Sequence, residues 1–161
     1  MINSFEPISS KNSEILILGT IPGEVSLRNK EYYGHKNNLF WDILFRVIDD
    51  HWNCKIIVEV DYNTKINLLL DNNIALWDVL DCCERNGSLD TQIKNEFKND
   101  FKLFFTNHPN IKTIFFNGKK ASDYFLSITN MLPEFKSYNQ IVLQSTSPRN
   151  TTNTFYILYE W

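Results

Sequence analysis

Two asparagines, a hydroxyl-rich loop and one loop histidine hold most of the chemistry this chain offers. Asn38 stands just before Leu39-Phe40-Trp41, at the start of an apolar periodic segment. A carboxamide is too weak a base to take a proton, so its chemical use there is to orient a water or a polar group. The structural alternative is a cap on the helix beginning near Leu39, for which Asn is among the best residues. Asn117 ends the apolar run 111–116 and precedes Gly118. It presents a donor and an acceptor at once, as the reading of a polar edge requires, or else it serves as the turn residue of an Asn-Gly pair. The segment Ser145-Thr146-Ser147-Pro148-Arg149-Asn150 offers hydroxyls and one cation, although Ser and Thr around Pro are also ordinary turn chemistry. His35 either orients its loop or touches a ligand. The three cysteines, Cys54, Cys82 and Cys83, contain no CxxC pair. Neither a metal site, an iron–sulfur cluster nor a disulfide framework is expected, and no cofactor is called for. No lysine sits in a motif that marks a Schiff-base nucleophile.

These residues need elements to hold them. Apolar runs at 14–18, 74–80, 111–116 and 140–144 read as four buried strands, each bounded by Gly, Asn, Asp or Ser. Between them, helical periodicity covers 38–50, 61–70, 97–105 and 118–128. Strands alternating with helices predict an α/β protein, a three-layer α/β/α sandwich around a central, mainly parallel four-stranded sheet. In such sheets ligands sit beyond the carboxyl ends of the strands, which are the loops after Leu18, Phe116 and Gln144. The closing segment, 155–161, fits a short strand or a turn or two of helix.

At 161 residues the chain suits one hydrophobic core, and a single domain over 1–161 is expected. A hydrophobic fraction of 43% with 22% charged residues excludes a disordered chain. The opening residues lack the basic and apolar regions of a signal peptide, and no apolar run approaches a membrane span, so a cytoplasmic monomer with free thiols is expected. The net charge of −3 counts against a broadly basic nucleic-acid binder. A local patch would have to come from Lys119, Lys120 and Arg149.

Taken together, the loops resemble a known family. Gly19-Thr20-Ile21-Pro22-Gly23-Glu24-Val25-Ser26-Leu27, followed by Tyr32-Tyr33-Gly34-His35-Lys36-Asn37-Asn38-Leu39-Phe40-Trp41, is similar to the GTxPGxxSL and YYxHPRNxFW segments of the hypoxanthine-DNA glycosylase branch of the uracil-DNA glycosylase superfamily. Leu143-Gln144-Ser145-Thr146-Ser147-Pro148-Arg149-Asn150 resembles that branch's LPSTSPAN. Asn117 falls where the superfamily ends a strand in a base-reading asparagine. Ile74-Ala75-Leu76-Trp77-Asp78-Val79-Leu80, Cys83-Glu84-Arg85 and Gly87-Ser88-Leu89-Asp90 also match, so the resemblance spans about 15–150.

The resemblance implies a monofunctional DNA glycosylase of base excision repair, hydrolysing the N-glycosidic bond of deaminated bases flipped out of DNA. Hypoxanthine is the first expected substrate, with uracil and xanthine behind it. It implies that Asn38 positions the attacking water, that Asn117 reads the base edge, and that Phe40 stacks on the flipped base unless it serves only as a core phenylalanine. Gly19, Thr20, Ile21 and Ser145 would complete the base site. Ser147 would hold a DNA phosphate, Arg149 would wedge into the duplex, and Pro22, Gly23, His35, Pro148 and Lys119 would line the DNA path. Two departures stand out. Ile21 replaces the asparagine of the mismatch-specific uracil glycosylases' GINPG, and His35-Lys36-Asn37-Asn38 lacks the proline and arginine of HPRN. A non-catalytic nucleic-acid-binding relative, or a hydrolase of free nucleosides or nucleotides, are the alternatives that the acidic composition suggests. Arg149 at a wedge position points to duplex DNA over both.

Overall fold

A computed structural model describes residues 1–48, 60–129 and 132–161. The far end of the helix expected over 38–50 and Cys54 lie outside the described residues. The central sheet holds β2 (Ile15–Gly19), β3 (Ile74–Asp78), β6 (Thr113–Asn117) and β7 (Asn139–Leu143) in the order β3-β2-β6-β7, all parallel. β2 and β3 are almost wholly buried, which is why both read as continuous apolar runs rather than alternating ones. Helices α1 (Glu24–Asn29), α2 (Phe40–Ile48), α3 (Tyr62–Asp71), α4 (Phe101–Asn107), α5 (Lys119–Thr129) and α6 (Thr154–Glu160) flank it. The α/β reading with a four-stranded parallel sheet is the observed fold.

Local chemistry sets several boundaries. The Asp61 carboxylate accepts from Thr64 N at 3.1 Å and starts α3, and that of Asp100 accepts from Leu103 N at 2.9 Å and starts α4. α2 buries Phe40, Trp41, Ile43, Leu44 and Phe45 along one face. An aromatic cluster of Phe101, Phe105, Phe116, Phe125 and Phe135 packs between the sheet and α4 and α5. The C-terminal segment settles as helix, with Ile157 buried.

The structure corrects two of the expected elements. The run 74–80 is not one strand, because the chain leaves the central sheet at Val79, where Val79 N donates to Gly19 O and Leu80 N to Thr20 O. It then enters a second, antiparallel sheet of β1 (Ile2–Asn3), β4 (Leu80–Glu84) and β5 (Lys94–Lys98), in the order β1-β4-β5. The helix expected over 97–105 begins only at Phe101, because the Asp100 cap opens it and β5 occupies 94–98.

Strand order determines where a ligand fits. From β2 the chain moves outward to β3, then returns past β2 to β6, so the order reverses between β2 and β6. The crevice outside that reversal is the expected site of a doubly wound sheet. Gly19, Asn117 and Leu143 end the three strands there.

Candidate active site

A cleft of about 740 Å³ opens over the carboxyl ends of the four parallel strands. From the first loop it is lined by Gly19, Thr20, Ile21, Pro22 and Gly23, then by His35 and Asn38. Asn117 and Lys119 come from the β6–α5 junction, and Ser145, Ser147, Pro148 and Arg149 from the loop after β7. Every residue expected in the site is therefore brought to one cleft except Phe40.

Phe40 is fully buried. The Tyr33 ring lies stacked on it, with centroids 3.9 Å apart and planes 23° apart, while Trp41 and Trp161 meet its edges. The ring at the cleft wall is thus Tyr33, and Phe40 backs it. A strained backbone holds Tyr33 in place. Its φ is 54°, a left-handed conformation unusual for an aromatic residue. Its neighbours are tied down on both sides. Tyr32 N donates to Tyr62 Oη at 2.9 Å, Trp41 Nε1 to Tyr32 O at 2.9 Å, and Gly34 N to Ser26 Oγ at 3.0 Å.

Asn38 both turns the backbone and lines the cleft. Its Oδ1 accepts from Phe40 N at 3.0 Å, an Asx turn that opens α2, and the residue lines the cleft. Its Nδ2 has no partner among the described residues. Leu39 N donates to Thr146 O at 3.1 Å, which ties this segment to the third loop.

Asn117 is buried and held by one residue through both of its polar atoms. Its Nδ2 donates to Thr146 Oγ1 and its Oδ1 accepts from Thr146 N, each at 2.8 Å. A carboxamide has two N–H donors and two carbonyl lone pairs, so one of each is left over on a side chain held in a fixed orientation at the cleft. Gly118, at φ 98°, turns the chain away, and a Cβ there would meet Ser145 Cβ at 3.0 Å. The loop beyond is built on its own side chains. Ser145 Oγ accepts from Ser147 N, Ser147 Oγ from Arg149 N, and Asn150 Nδ2 donates to Ser145 O at 2.7 Å. Trp161 Nε1 donates to Gln144 O at 2.9 Å, and the Glu160 carboxylate accepts from Gln144 N, so α6 fixes the exit of β7.

Several residues that sequence reasoning left without a role shape the cleft. Arg85, its side chain almost wholly buried, donates to Pro22 O and Gly87 O and pairs with Asp90 at 3.7 Å. Ser88 Oγ accepts from Glu24 N at 2.9 Å. Together they clamp the first loop from the segment after β4. Burial raises the Asp90 carboxyl above the usual range, while Thr20, Arg85, Lys120 and Arg149 pull it back. Of these, exposed Arg149 lines the cleft. Asp78, paired in register with Gly19, is buried, and burial pushes its carboxyl up to about 7 with Ser4 Oγ donating to its Oδ2 at 2.8 Å. The signal for Tyr33 and Asp78 lay in the YYG and LWD segments, but Asp78's partner Ser4 is distant in the chain.

No helix among the described residues is long and apolar enough to cross a membrane. Known proteins share the arrangement. The sequence pattern of the Uracil DNA glycosylase superfamily matches residues 6–156. A hypoxanthine DNA glycosylase of Methanosarcina barkeri is 41% identical over 120 residues, which cover 74% of this chain and 73% of that one. A hypoxanthine DNA glycosylase of Methanosarcina acetivorans is 35% identical over 146 residues, covering 91% and 86%. The solution NMR structure of a predicted uracil DNA glycosylase from Methanosarcina acetivorans superposes with a TM-score of 0.80 at 33% identity, covering 99% of this chain and 92% of that one. With a sheet-end cleft and a family match that spans nearly all of the residues building it, this chain belongs to the uracil DNA glycosylase superfamily.

Proposed function

We propose that the protein is a monofunctional DNA glycosylase of base excision repair, a single-domain cytoplasmic monomer that releases hypoxanthine from DNA in preference to uracil and xanthine. The relatives named hypoxanthine DNA glycosylase support the substrate. The observation that carries the reading is the Asn117 carboxamide, locked by Thr146 so that one donor and one acceptor remain on a side chain fixed at the cleft. Hypoxanthine offers N1–H beside O6, the complement of that pair.

The reaction follows from the geometry. A base inside the duplex is out of reach, so the nucleotide is extruded into the cleft. There the Tyr33 ring forms a wall for it and Asn117 takes its edge. As the C1′–N9 bond lengthens, the sugar gains oxocarbenium character and the base takes the electron pair. Asn38, with Nδ2 free and Oδ1 anchored, holds water against C1′ without needing to deprotonate it first, because the carbon is already electrophilic. Lys119 sits in an exposed ion pair with Asp123 rather than in the desolvated pocket that a Schiff-base lysine requires, which supports hydrolysis without strand cleavage.

The test is incubation with labelled oligonucleotides carrying deoxyinosine, deoxyuridine or deoxyxanthosine, with and without alkali. Alkali-dependent cleavage fastest at deoxyinosine is expected. Uracil released tenfold faster than hypoxanthine would sink the substrate assignment, and breaks without alkali would sink the monofunctional one.

A further inference from the structure

At the Gly19 end of the cleft lies a polar pair that the reading above does not use. The Tyr33 hydroxyl is buried and has no hydrogen-bond partner among the described residues. The neighbouring Asn117 amide, short of bonding geometry, still favours its ionised form, but burial and then Asp78 dominate and hold the phenol above its ordinary range. Asp78 approaches the same spot from β3. A Cβ built on Gly19 would collide with Asp78 Oδ1 and stand 2.8 Å from Tyr33 Oη. Both side chains therefore pack against the bare Cα of Gly19. Ser4 anchors Asp78 Oδ2 and leaves Oδ1 on the side of Tyr33. A buried polar atom without a partner is rare in folded proteins, and Tyr33 Oη is one at the wall of the ligand cleft.

Sheet order gives the pair a direction. Asp78, Gly19 and Asn117 end β3, β2 and β6, which lie side by side, so Asp78 and Asn117 flank Gly19 at two strand spacings, about 10 Å. With N1–H and O6 on Asn117, the adjacent N7 faces the Tyr33 and Asp78 side.

Resting on the proposed reading, we propose that Asp78 is a catalytic acid for the departing purine, with Tyr33 as its partner donor at N7. Neutral Asp78 gives its Oδ1 proton to N7 while the C1′–N9 bond breaks and its electron pair passes to the base. The base leaves as neutral hypoxanthine, the water oxygen bonds C1′, and the proton that water loses restores Asp78. The surroundings favour a carboxyl that still carries its proton near neutrality. Burial is the largest cause, Asp90 adds to it, and Ser4 and Arg85 oppose it. The groups facing Asp78 are Ser4 after β1, Tyr32 and Tyr33 before α2, Tyr62 on α3, and Arg85 and Asp90 after β4. Among them only Arg85 is cationic, and it already serves Pro22, Gly87 and Asp90.

The experiment is single-turnover cleavage of deoxyinosine and 7-deaza-deoxyinosine duplexes by the parent, Asp78→Asn and Tyr33→Phe, from pH 5.5 to 9, each checked for folding by circular dichroism. The parent rate on deoxyinosine should fall about tenfold per pH unit above about pH 7. Asp78→Asn should be at least about tenfold slower at pH 6 with that limb gone. The 7-deaza substrate should slow the parent comparably and Asp78→Asn little further, since both remove one interaction. Tyr33→Phe, which keeps the ring on Phe40, should lose several-fold on deoxyinosine only. Losses from Asp78→Asn and 7-deaza that multiply would overturn the proposal, and so would a parent profile flat across pH 6 to 8, even if Asp78→Asn does not fold. A parent that releases no hypoxanthine at all overturns instead the function on which it rests.

Discussion

Replacing Asn38 tests whether its side chain holds a water as well as the turn into α2. If its Nδ2 holds the attacking water, Asn38→Ala should lower the single-turnover rate by two orders of magnitude or more, about 3 kcal/mol, with little change in lesion binding. The Asx turn to Phe40 N is lost as well, at about 1 kcal/mol of stability. Asn38→Asp keeps that acceptor and should restore the melting temperature without restoring the rate. A folded Asn38→Ala that cleaves at the parent rate leaves Asn38 as a cap only. Asp78 carries a stability signature. Its folded carboxyl, raised to about 7 from an ordinary 3.8, makes a contribution that is complete below about pH 4 and lost as pH rises toward 7. The slope is at most about 1.4 kcal/mol per pH unit. The parent should therefore lose melting temperature relative to Asp78→Asn between pH 5 and 8, and a constant difference would refute the raised value. Asn38 and Asn117 were legible because each stands next to an apolar run, before Leu39-Phe40-Trp41 and after 111–116. Asp78 and Thr146 were not legible, since an aspartate and a threonine acquire these roles only from partners 29 or more residues away in sequence, and Tyr33 takes its place through a left-handed backbone that sequence does not mark.

Among the elements, those carrying the cleft were the most readable. β2 and β6 are mostly buried runs, and each ends in the residue that turns into a loop, Gly19 or Asn117. The second sheet was invisible for a physical reason. β5 is Lys94-Asn95-Glu96-Phe97-Lys98, mostly exposed, with no apolar alternation to mark it. β4 hid inside the run that began with β3, because Val79 is as apolar as its neighbours and only its bond to Gly19 O shows the bend. The turn from β6 into α5 makes a test at this scale. At Gly118 a side chain meets both a φ of 98° and Ser145. Gly118→Ala should therefore destabilise by about 1–3 kcal/mol and displace the third loop, reducing cleavage beyond what the lost stability explains. Parent-like melting and activity would show that the turn relaxes freely.

For the whole molecule, the acidic balance and the DNA substrate pull in opposite directions. A net charge of −3 repels a polyanion at long range, but at physiological salt that field is screened within about 8 Å. What matters is which cations stand at the cleft. Lys119 is taken up by Asp123, and Lys120 lies over the Tyr124 ring, whereas Arg149 projects from the exposed tip of the third loop. Its own N–H is fixed by Ser147 Oγ, so the side chain leaves a braced backbone, as an inserting wedge requires. Arg149→Ala should thus weaken binding to lesion duplex and lower the slope of log K against log salt by about one, the share of a single phosphate contact. The loss should shrink on single-stranded or mismatched DNA, where less stacking must be broken to extrude the base. Equal losses on paired and unpaired substrates would make Arg149 a phosphate contact without a wedging role, and an unchanged salt slope would place the DNA on another part of the surface.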